Sequence, residues 1–455
     1  MLSVPPLIAL LVIDYLKPQE YVPLLAALPL LYIFSGLAVL GFVLDVRQGL
    51  SKISGSPQLP WVVLFFVWAL VTVAFNAPDQ FSGRVQALLV PISLYLIVGH
   101  SVQSFRMLQV LAGVILAISL FLSILGVYQG LAPWGCHQVS YAHGEKSFQY
   151  DGRDCDPANR EVCSAENAEP GADYACEHVG LFATNSDHGR VRYRGTLSDP
   201  NELSLVIGVA VPFAFAFLDR KRSLARQALL LATLGLVGVC ANFTQSRGGQ
   251  LVFLAVLGVY FLNRFGRKGL VLALMVALPI LLLGGREGAE DSTVERTECW
   301  FEGMLMFWHQ PLFGVGFAQF TEHHYLTAHN SYVLAAAELG LPGMWLWSAV
   351  VYLSVKIPVR ILRTPDLKVP PVARSWALAF IASMIGMCVG VFFLSYCYKE
   401  FLWIYIGFSA ALYQSVRRHA PDFTVKLTAR DAVLILAVDV MLILTMTGYT
   451  RWKVG

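Results

Sequence analysis

The segment 311–343 concentrates polar side chains that could do chemistry in a chain that is otherwise mostly apolar. It contains His323, His324, His329 and Glu338. Ionisable groups at the end of a membrane span are costly, so they indicate a functional site. Adjacent histidines are poor joint ligands and no H-E-x-x-H pattern is present, so no metal site is predicted. His329 precedes an apolar run, where the positive end of a helix dipole would keep its imidazole neutral and available as a base. A purely structural role for His329 is the alternative.

Arg247 is a candidate for binding phosphate. It lies in the segment 245–249, Gln-Ser-Arg-Gly-Gly, which predicts a tight turn between two apolar runs. The two glycines would let the backbone approach a ligand closely. A guanidinium held on so short a turn suits bidentate binding of phosphate. An arginine at this place can also simply extend to lipid headgroups, and this alternative stays open.

Arg296 is a second candidate. Ser292 and Glu295 form a capping-box pattern, which predicts the start of an amphipathic helix in the membrane interface that ends before Pro311. Arg296 would then lie in the first turn, where the helix dipole disfavours a cation. An anionic partner or a surface ion pair with a neighbouring glutamate would account for it.

A further helix start is predicted at Asp199. Asp199 is a plausible N-cap, Pro200 suits the first helical position, and Glu202 stands where it would complete a capping box. A well-formed helix start explains this pattern without any function. The free N–H groups of such an end would nevertheless attract an anion such as phosphate.

Composition indicates which elements position these residues. Hydrophobic residues make up 56% of the chain, charged residues 14%, and the mean hydropathy is +0.60. These values predict an all-α polytopic membrane protein, because the apolar runs are continuous and do not alternate. A net charge of +3 is too small to indicate a nucleic-acid partner. Runs long enough to cross a bilayer predict about 12–13 transmembrane helices. The runs are 2–16, 21–44, 60–76, 85–100, 107–131, 199–218, 227–243, 250–263, 269–283, 331–355, 375–396, 401–416 and 431–449.

The distribution of Lys and Arg predicts the orientation. Most of them fall in short loops on one side, which would be cytoplasmic with the N-terminus inside. Two long loops are then predicted on the periplasmic side of a bacterial inner membrane. The chain divides into helices 1–5 (1–133), a Cys-containing periplasmic loop (134–198), helices 6–9 (199–283), a periplasmic loop with the interfacial helix and catalytic segment (284–330), and the C-terminal helices (331–455).

Cysteine usage agrees with this orientation. Cys136, Cys155, Cys163 and Cys176 all lie in the first long loop, where an oxidising compartment would allow two disulfides. Three pairings are possible, and the sequence does not choose between them. A zinc site is the weaker alternative, since no C-x-x-C pair is present. The other cysteines are expected to be unpaired: Cys240, Cys299, Cys388 and Cys397.

Several ordered motifs resemble those of the O-antigen ligase and O-antigen polymerase superfamily of bacterial membrane glycosyltransferases. The resemblance covers about 195–355. Its motifs are G-T-L-S-D-P-N-E-L (195–203), S-R-G-G (246–249), Arg296 with Trp300, P-L-F-G-V-G (311–316), H-N-S-Y (329–332) and E-L-G-L-x-G (338–343). It implies an all-helical, GT-C-like fold. It also implies a metal-independent, inverting enzyme that needs no cofactor.

The resemblance implies a donor, an acceptor and roles for the residues. A glycan would pass from undecaprenyl pyrophosphate to a hydroxyl of another glycan, of lipid A core or of another acceptor. Arg247 and Arg296 would hold the pyrophosphate. His329 would deprotonate or orient the acceptor hydroxyl, and Glu338 would orient His329 or stabilise its helix. Further expected substrate contacts are Arg194, Asp199, Asn201, Ser246, Tyr325 and Asn330, with Arg192 and Arg286 as weaker candidates.

Two questions stay open at this level. Ligase and polymerase activity differ in the acceptor and not in the leaving group, so these motifs do not separate them. A transporter that flips the lipid-linked glycan is the alternative function, because it could use the same arginines to hold pyrophosphate. Against it, the polar residues lie at one face of the membrane and no repeated halves with broken helices are evident.

Overall fold

A computed structural model describes residues 1–142, 145–156, 163, 172–218, 223–269, 271, 275 and 289–454. Its long helices are α1 (Val4–Leu16), α2 (Leu30–Arg47), α3 (Leu59–Asn76), α4 (Phe81–Ser101), α5 (Phe105–Leu131), α6 (Pro200–Leu218), α7 (Leu224–Phe243), α8 (Arg247–Phe265), α9 (Ala289–His309), α10 (Ser331–Leu362), α11 (Val372–Gly390), α12 (Glu400–Arg417) and α13 (Ala429–Lys453). In this described part, 10 helices are long and apolar enough to cross a membrane. The prediction of an all-α polytopic membrane protein is confirmed.

The helices follow the predicted apolar runs closely, with informative differences at a few ends. Prolines at 23 and 29 delay the second helix, which begins at Leu30 instead of near 21. The predicted run 269–283 lies almost wholly outside the described residues. Helix α10 continues to Leu362 and changes direction at Gly340, whose φ is 65°. The residue at the break accounts for it, since glycine tolerates a positive φ at little cost.

The loop 134–198 contains a small sheet that the sequence did not predict. Strands β1 (Trp134–Ala142), β2 (Glu145–Tyr150) and β3 (Asp173–His178) pair in the antiparallel order β2-β1-β3. Two disulfides, Cys136–Cys163 and Cys155–Cys176, hold the sheet to the chain that follows β2. The prediction of two bridges in this loop is thus confirmed. The structure selects one pairing and leaves Cys240, Cys299, Cys388 and Cys397 free, as expected.

The helix bundle has two ends of different character. At one, here called the loop-rich end, the Tyr193 hydroxyl donates to the Leu16 carbonyl, the Val191 N–H to the Phe243 carbonyl, and the Asn76 amide to the Gly314 carbonyl. The opposite end, here called the basic end, joins the short loops. There Lys356 pairs with Asp431. All the candidate site residues in the described part lie on elements that meet at the loop-rich end.

Between the two ends, buried aromatic side chains fill the core. Trp376, Phe380 and Phe213 pack against one another, and Phe213 also stacks on Tyr405 with ring centroids 5.8 Å apart. Large buried rings remove more apolar surface per residue than any other side chain and give a rigid packing. The helix ends that carry the polar residues are therefore held by a firm core.

Candidate active site

The turn at 245–249 places Arg247 at the start of α8. Gln245 adopts a positive φ of 50°, which reverses the chain. Ser246 is the N-cap, because its hydroxyl accepts a hydrogen bond of 3.0 Å from the Gly249 N–H. Arg247 is thus the first residue of the helix, where the dipole disfavours a cation unless an anion is close. The predicted turn is confirmed, and the dipole argument made for Arg296 applies to Arg247 instead.

Asn201 connects this turn to the start of α6. The Ser246 hydroxyl donates to the Asn201 side-chain oxygen at 2.7 Å. On the other side, the Asn201 N–H donates to an oxygen of the Asp199 carboxylate at 2.8 Å. Asp199, Asn201, Ser246 and Arg247, which the sequence predicted separately, therefore form one connected structure.

Arg190 completes this structure, although the sequence reasoning did not select it. Its Nε donates to the Thr244 carbonyl at 3.0 Å and its Nη2 donates to the Asn201 side-chain oxygen at 3.3 Å. The signal in the sequence was the alternation Arg-Val-Arg-Tyr-Arg at 190–194, which places three arginines on an extended segment. The alternation does not predict which of the three arginines contacts the helix ends.

The two neighbouring arginines, which were candidates, lie elsewhere. Arg192 donates to the Asn185 carbonyl at 3.1 Å and lies 4.0 Å from the Asp187 carboxylate. Arg194 donates to the carbonyl oxygens of Phe182 and Glu20. Arg192 stabilises the loop itself, and Arg194 also links the loop to the segment between α1 and α2. The third candidate, Arg286, lies outside the described residues.

Three arginines line one cavity at the loop-rich end. The cavity has an empty volume of ≈ 420 Å³ and is open to solvent. Its described lining contains no carboxylate. The lining residues are Arg190, Asn201, Gln245, Arg247, Gly248, Ser292, Thr293 and Arg296. Three guanidinium groups around one open cavity make a strongly cationic site that suits a phosphate or pyrophosphate.

Helix α9 brings Arg296 to this cavity from a position the capping pattern did not predict. The described helix begins at Ala289, so Ser292 is a helical residue and not an N-cap. Arg296 therefore lies about two turns into the helix instead of in its first turn. Ser292 and Thr293 line the cavity beside it. The predicted capping box at 292–295 is wrong, because the helix extends further towards its N-terminus than the local pattern indicates.

His329 is close enough to Arg296 and Asp199 for their charges to act on its ring. It has a positive φ of 48° and precedes Asn330, the N-cap of α10. Burial lowers the pKa of His329 below its ordinary value, and the positive charge of Arg296 lowers it further, while Asp199 and Glu295 oppose the shift. Because these charges act on the ring, His329 lies in the same electrostatic environment as Arg296 and Asp199. A neutral imidazole is favoured near pH 7.

The other predicted site residues have structural contacts. Asn330 is fully buried, and its side-chain oxygen accepts from the N–H groups of Tyr332 and Val333. Glu338 is also buried and accepts from the Phe320 N–H at 3.1 Å, so it holds the turn before α10. Tyr325 is 72% exposed and stacks beside His324. These contacts position His329 through its neighbours but do not bring the three side chains into the cavity.

Two local predictions need correction. Glu202 does not complete a capping box with Asp199: its carboxylate accepts from the Tyr396 hydroxyl and lies 3.7 Å from Lys399 Nζ. The second correction concerns Gly249, since a Cβ there would lie 2.1 Å from the Ser204 hydroxyl oxygen. That glycine allows α6 and α8 to pack closely instead of admitting a ligand. Gly248, by contrast, lines the cavity.

The histidine pair shows no metal site in the described part of the chain. The His324 Nδ1 accepts from the Leu326 N–H at 3.2 Å, and His323 is exposed. No group of three or more His, Cys, Asp and Glu side chains that could hold a metal ion occurs among the described residues.

The fold and the cavity define a polytopic membrane protein with a cationic site at one end of its helix bundle. Residues 229–348 match the family described as O-antigen ligase. This match supports the O-antigen ligase superfamily that the motifs predicted. The matched segment contains Arg247, Arg296, His329 and Glu338. No curated protein matches the chain.

Proposed function

We propose that this protein transfers a glycan from undecaprenyl pyrophosphate to an acceptor hydroxyl at the periplasmic face of a bacterial inner membrane. The observation that supports this most directly is the cavity lined by Arg190, Arg247 and Arg296, since the charge of Arg296 also acts on His329. Pyrophosphate as a leaving group gains negative charge as its bond to the sugar breaks. Cations held in place before the reaction stabilise that charge most effectively.

The arginines of the cavity act on the leaving group, and His329 acts on the acceptor. The bond between the anomeric carbon and the phosphate oxygen breaks, and its electron pair stays on the pyrophosphate, where the arginines neutralise it. The acceptor oxygen forms a new bond to the anomeric carbon, and its proton passes to the neutral His329. A single displacement of this kind inverts the configuration at the anomeric carbon. The arginines supply the positive charge at the leaving group in this scheme, so no metal ion is required.

The orientation of the site rests on charge. The short loops at the basic end carry most of the Lys and Arg residues, which favours the cytoplasm for that end and the periplasm for the cavity. The two disulfides in the loop beside the cavity favour the same assignment, because oxidising compartments allow such bridges.

The proposal is tested by transfer assays in membranes supplied with lipid-linked glycan. Arg247→Ala, Arg296→Ala and His329→Ala are compared with Arg360→Ala, an exposed arginine at the basic end. We expect the first three variants to lose most transfer while still inserting in the membrane, and the fourth to retain it. Full transfer by all three site variants would exclude this function.

The acceptor is identified by mass spectrometry of the glycans that accumulate when the protein is absent. Single repeat units on the carrier would identify a polymerase. Long polymer that stays on the carrier would identify a ligase. Purified protein that moves labelled carrier between leaflets without forming a glycosidic bond would favour a transporter instead.

A further inference from the structure

A second cavity lies at the basic end, between α6, α7, α8 and α11. Its empty volume is ≈ 1440 Å³ and includes space that is open to solvent. Its described walls are largely apolar and include Phe215, Leu230, Leu234 and Leu257. Leu234 lies about 12 Å along α7 from Arg226, since each helical residue rises 1.5 Å. The cavity therefore offers an apolar channel that runs along the helices.

Two arginines lie at the edge of this cavity. Arg226 is in the first turn of α7, which Ser223 caps by accepting the Arg226 N–H at 3.3 Å. The Arg226 Nη1 is buried and has no hydrogen-bond partner in the part of the chain that is described. A buried guanidinium nitrogen without an acceptor is costly, so an acceptor from outside the chain would stabilise it. Arg264, in the last turn of α8, lies on the same cavity.

We propose that this cavity binds one anionic phospholipid. The headgroup phosphate lies between Arg226 and Arg264, and an acyl chain lies along Leu230 and Leu234. Charge complementarity selects an anionic headgroup, and basic pockets between membrane helices are known to hold such headgroups. The apolar length behind the arginines selects a lipid over a free anion.

The lipid site is distinct from the site of transfer. Arg226 and Thr244 lie at opposite ends of α7, about 27 Å apart along its axis, and the Thr244 carbonyl is the group that anchors Arg190. The inference therefore does not rest on the proposed function. If lipid binding is not observed, the proposal of glycan transfer still stands. If transfer is not observed, the proposal of a lipid site still stands.

The experiment is native mass spectrometry of the purified full chain after removal of bound lipid. Phosphatidylglycerol and phosphatidylcholine with identical acyl chains are added in parallel. We expect one phosphatidylglycerol to bind, and to bind more tightly than phosphatidylcholine. Replacing Arg226 and Arg264 by Gln weakens phosphatidylglycerol binding by about fivefold for each arginine removed. The matched control is Arg360→Gln with Arg363→Gln, two exposed arginines of the same end, which leaves binding unchanged.

A second pair of variants tests the apolar part of the site. Leu230→Trp fills the cavity and abolishes binding of either lipid, whereas Leu231→Trp, at a position that is 68% exposed, does not. Equal binding of the two lipids, or unchanged binding in the Arg226 and Arg264 double variant, overturns the proposal. The proposal is also overturned if inorganic phosphate displaces the lipid and chloride at equal ionic strength does not. That result would indicate a site for a free anion.

Discussion

The two cavities use the same side chain in opposite surroundings. At the loop-rich end, three arginines from α8, α9 and the 190–194 segment converge on a small polar cavity of ≈ 420 Å³. At the basic end, Arg226 and Arg264 border a larger, mostly apolar cavity of ≈ 1440 Å³. Guanidiniums that converge on one polar cavity suit a group whose charge changes during a reaction. Cations at the edge of an apolar channel suit a group that only has to be held. The surroundings of the arginines therefore say more about the ligand than their number does.

The largest expected effect tests whether the cavity at the loop-rich end needs the planar shape of arginine or only its positive charge. Arg247→Ala should lower kcat for transfer by roughly 100- to 1,000-fold, the usual loss when one fixed donor to a developing anion is removed. Arg247→Lys should recover only part of this loss, because lysine keeps the charge but not the planar fork. Steady-state rates of transfer in proteoliposomes measure both the loss and the recovery. Full recovery by lysine would mean that charge alone matters, as at the basic end.

A smaller effect tests the arginine that the sequence reasoning missed. Arg190→Ala should reduce transfer by about tenfold, because it removes one of three cations and a hydrogen bond to Asn201. Arg192→Ala is the matched control, since Arg192 does not line the cavity and its side chain contacts Asn185 and Asp187 in the loop. Equal losses in the two variants would show that this segment acts through folding and not through its charge.

The pH dependence gives a finer test of the link between Arg296 and His329. Because the pKa of His329 is lowered, the neutral base persists on the acid side of its ordinary range, and activity should hold there. Arg296→Gln removes a positive charge that lowers this pKa, so the acid limb of kcat/KM should move to higher pH. Arg247→Gln should lower the rate without moving the limb, since Arg247 does not contribute to the shift. Identical limbs in both variants would contradict the assignment of His329 as the base.

The smallest expected effect concerns the basic end. Replacing Arg226 and Arg264 by Gln should change transfer by about twofold at most in a bilayer of fixed composition, because the two sites are separated along α7. Transfer rates for this variant and for the Arg360 and Arg363 control are compared in the same vesicles. A loss as large as that of Arg247→Ala would show that the lipid cavity belongs to the catalytic unit.

The sequence predicted the membrane architecture well, because long apolar runs, prolines and glycines act locally. The bend at Gly340 and the turn before Arg247 are of this kind. It predicted the family from its motifs, and the match over 229–348 confirms it. The sheet in the loop 134–198 was not predicted. Its β1–β3 pairing joins strands that are far apart in sequence, although β1 and β2 are consecutive.

The sequence named Asn201, Arg247 and Arg296, which line the cavity, but did not predict how they connect. Glu202 has the spacing of a capping box, yet tertiary contacts with Tyr396 and Lys399 hold its carboxylate away. Arg190 reaches the cavity only because α6 and α7 bring Asn201 and Thr244 to it. Spacing along the chain carries no information about such long-range partners.

The anchoring of Arg190 has a consequence for how this protein can evolve. The Arg190 side chain donates to the Thr244 carbonyl and to Asn201, which belong to the helix ends. Loops tolerate insertion and exchange when their ends are held independently. The disulfide-linked sheet at 134–178 can therefore vary in length and composition without removing these two contacts of Arg190.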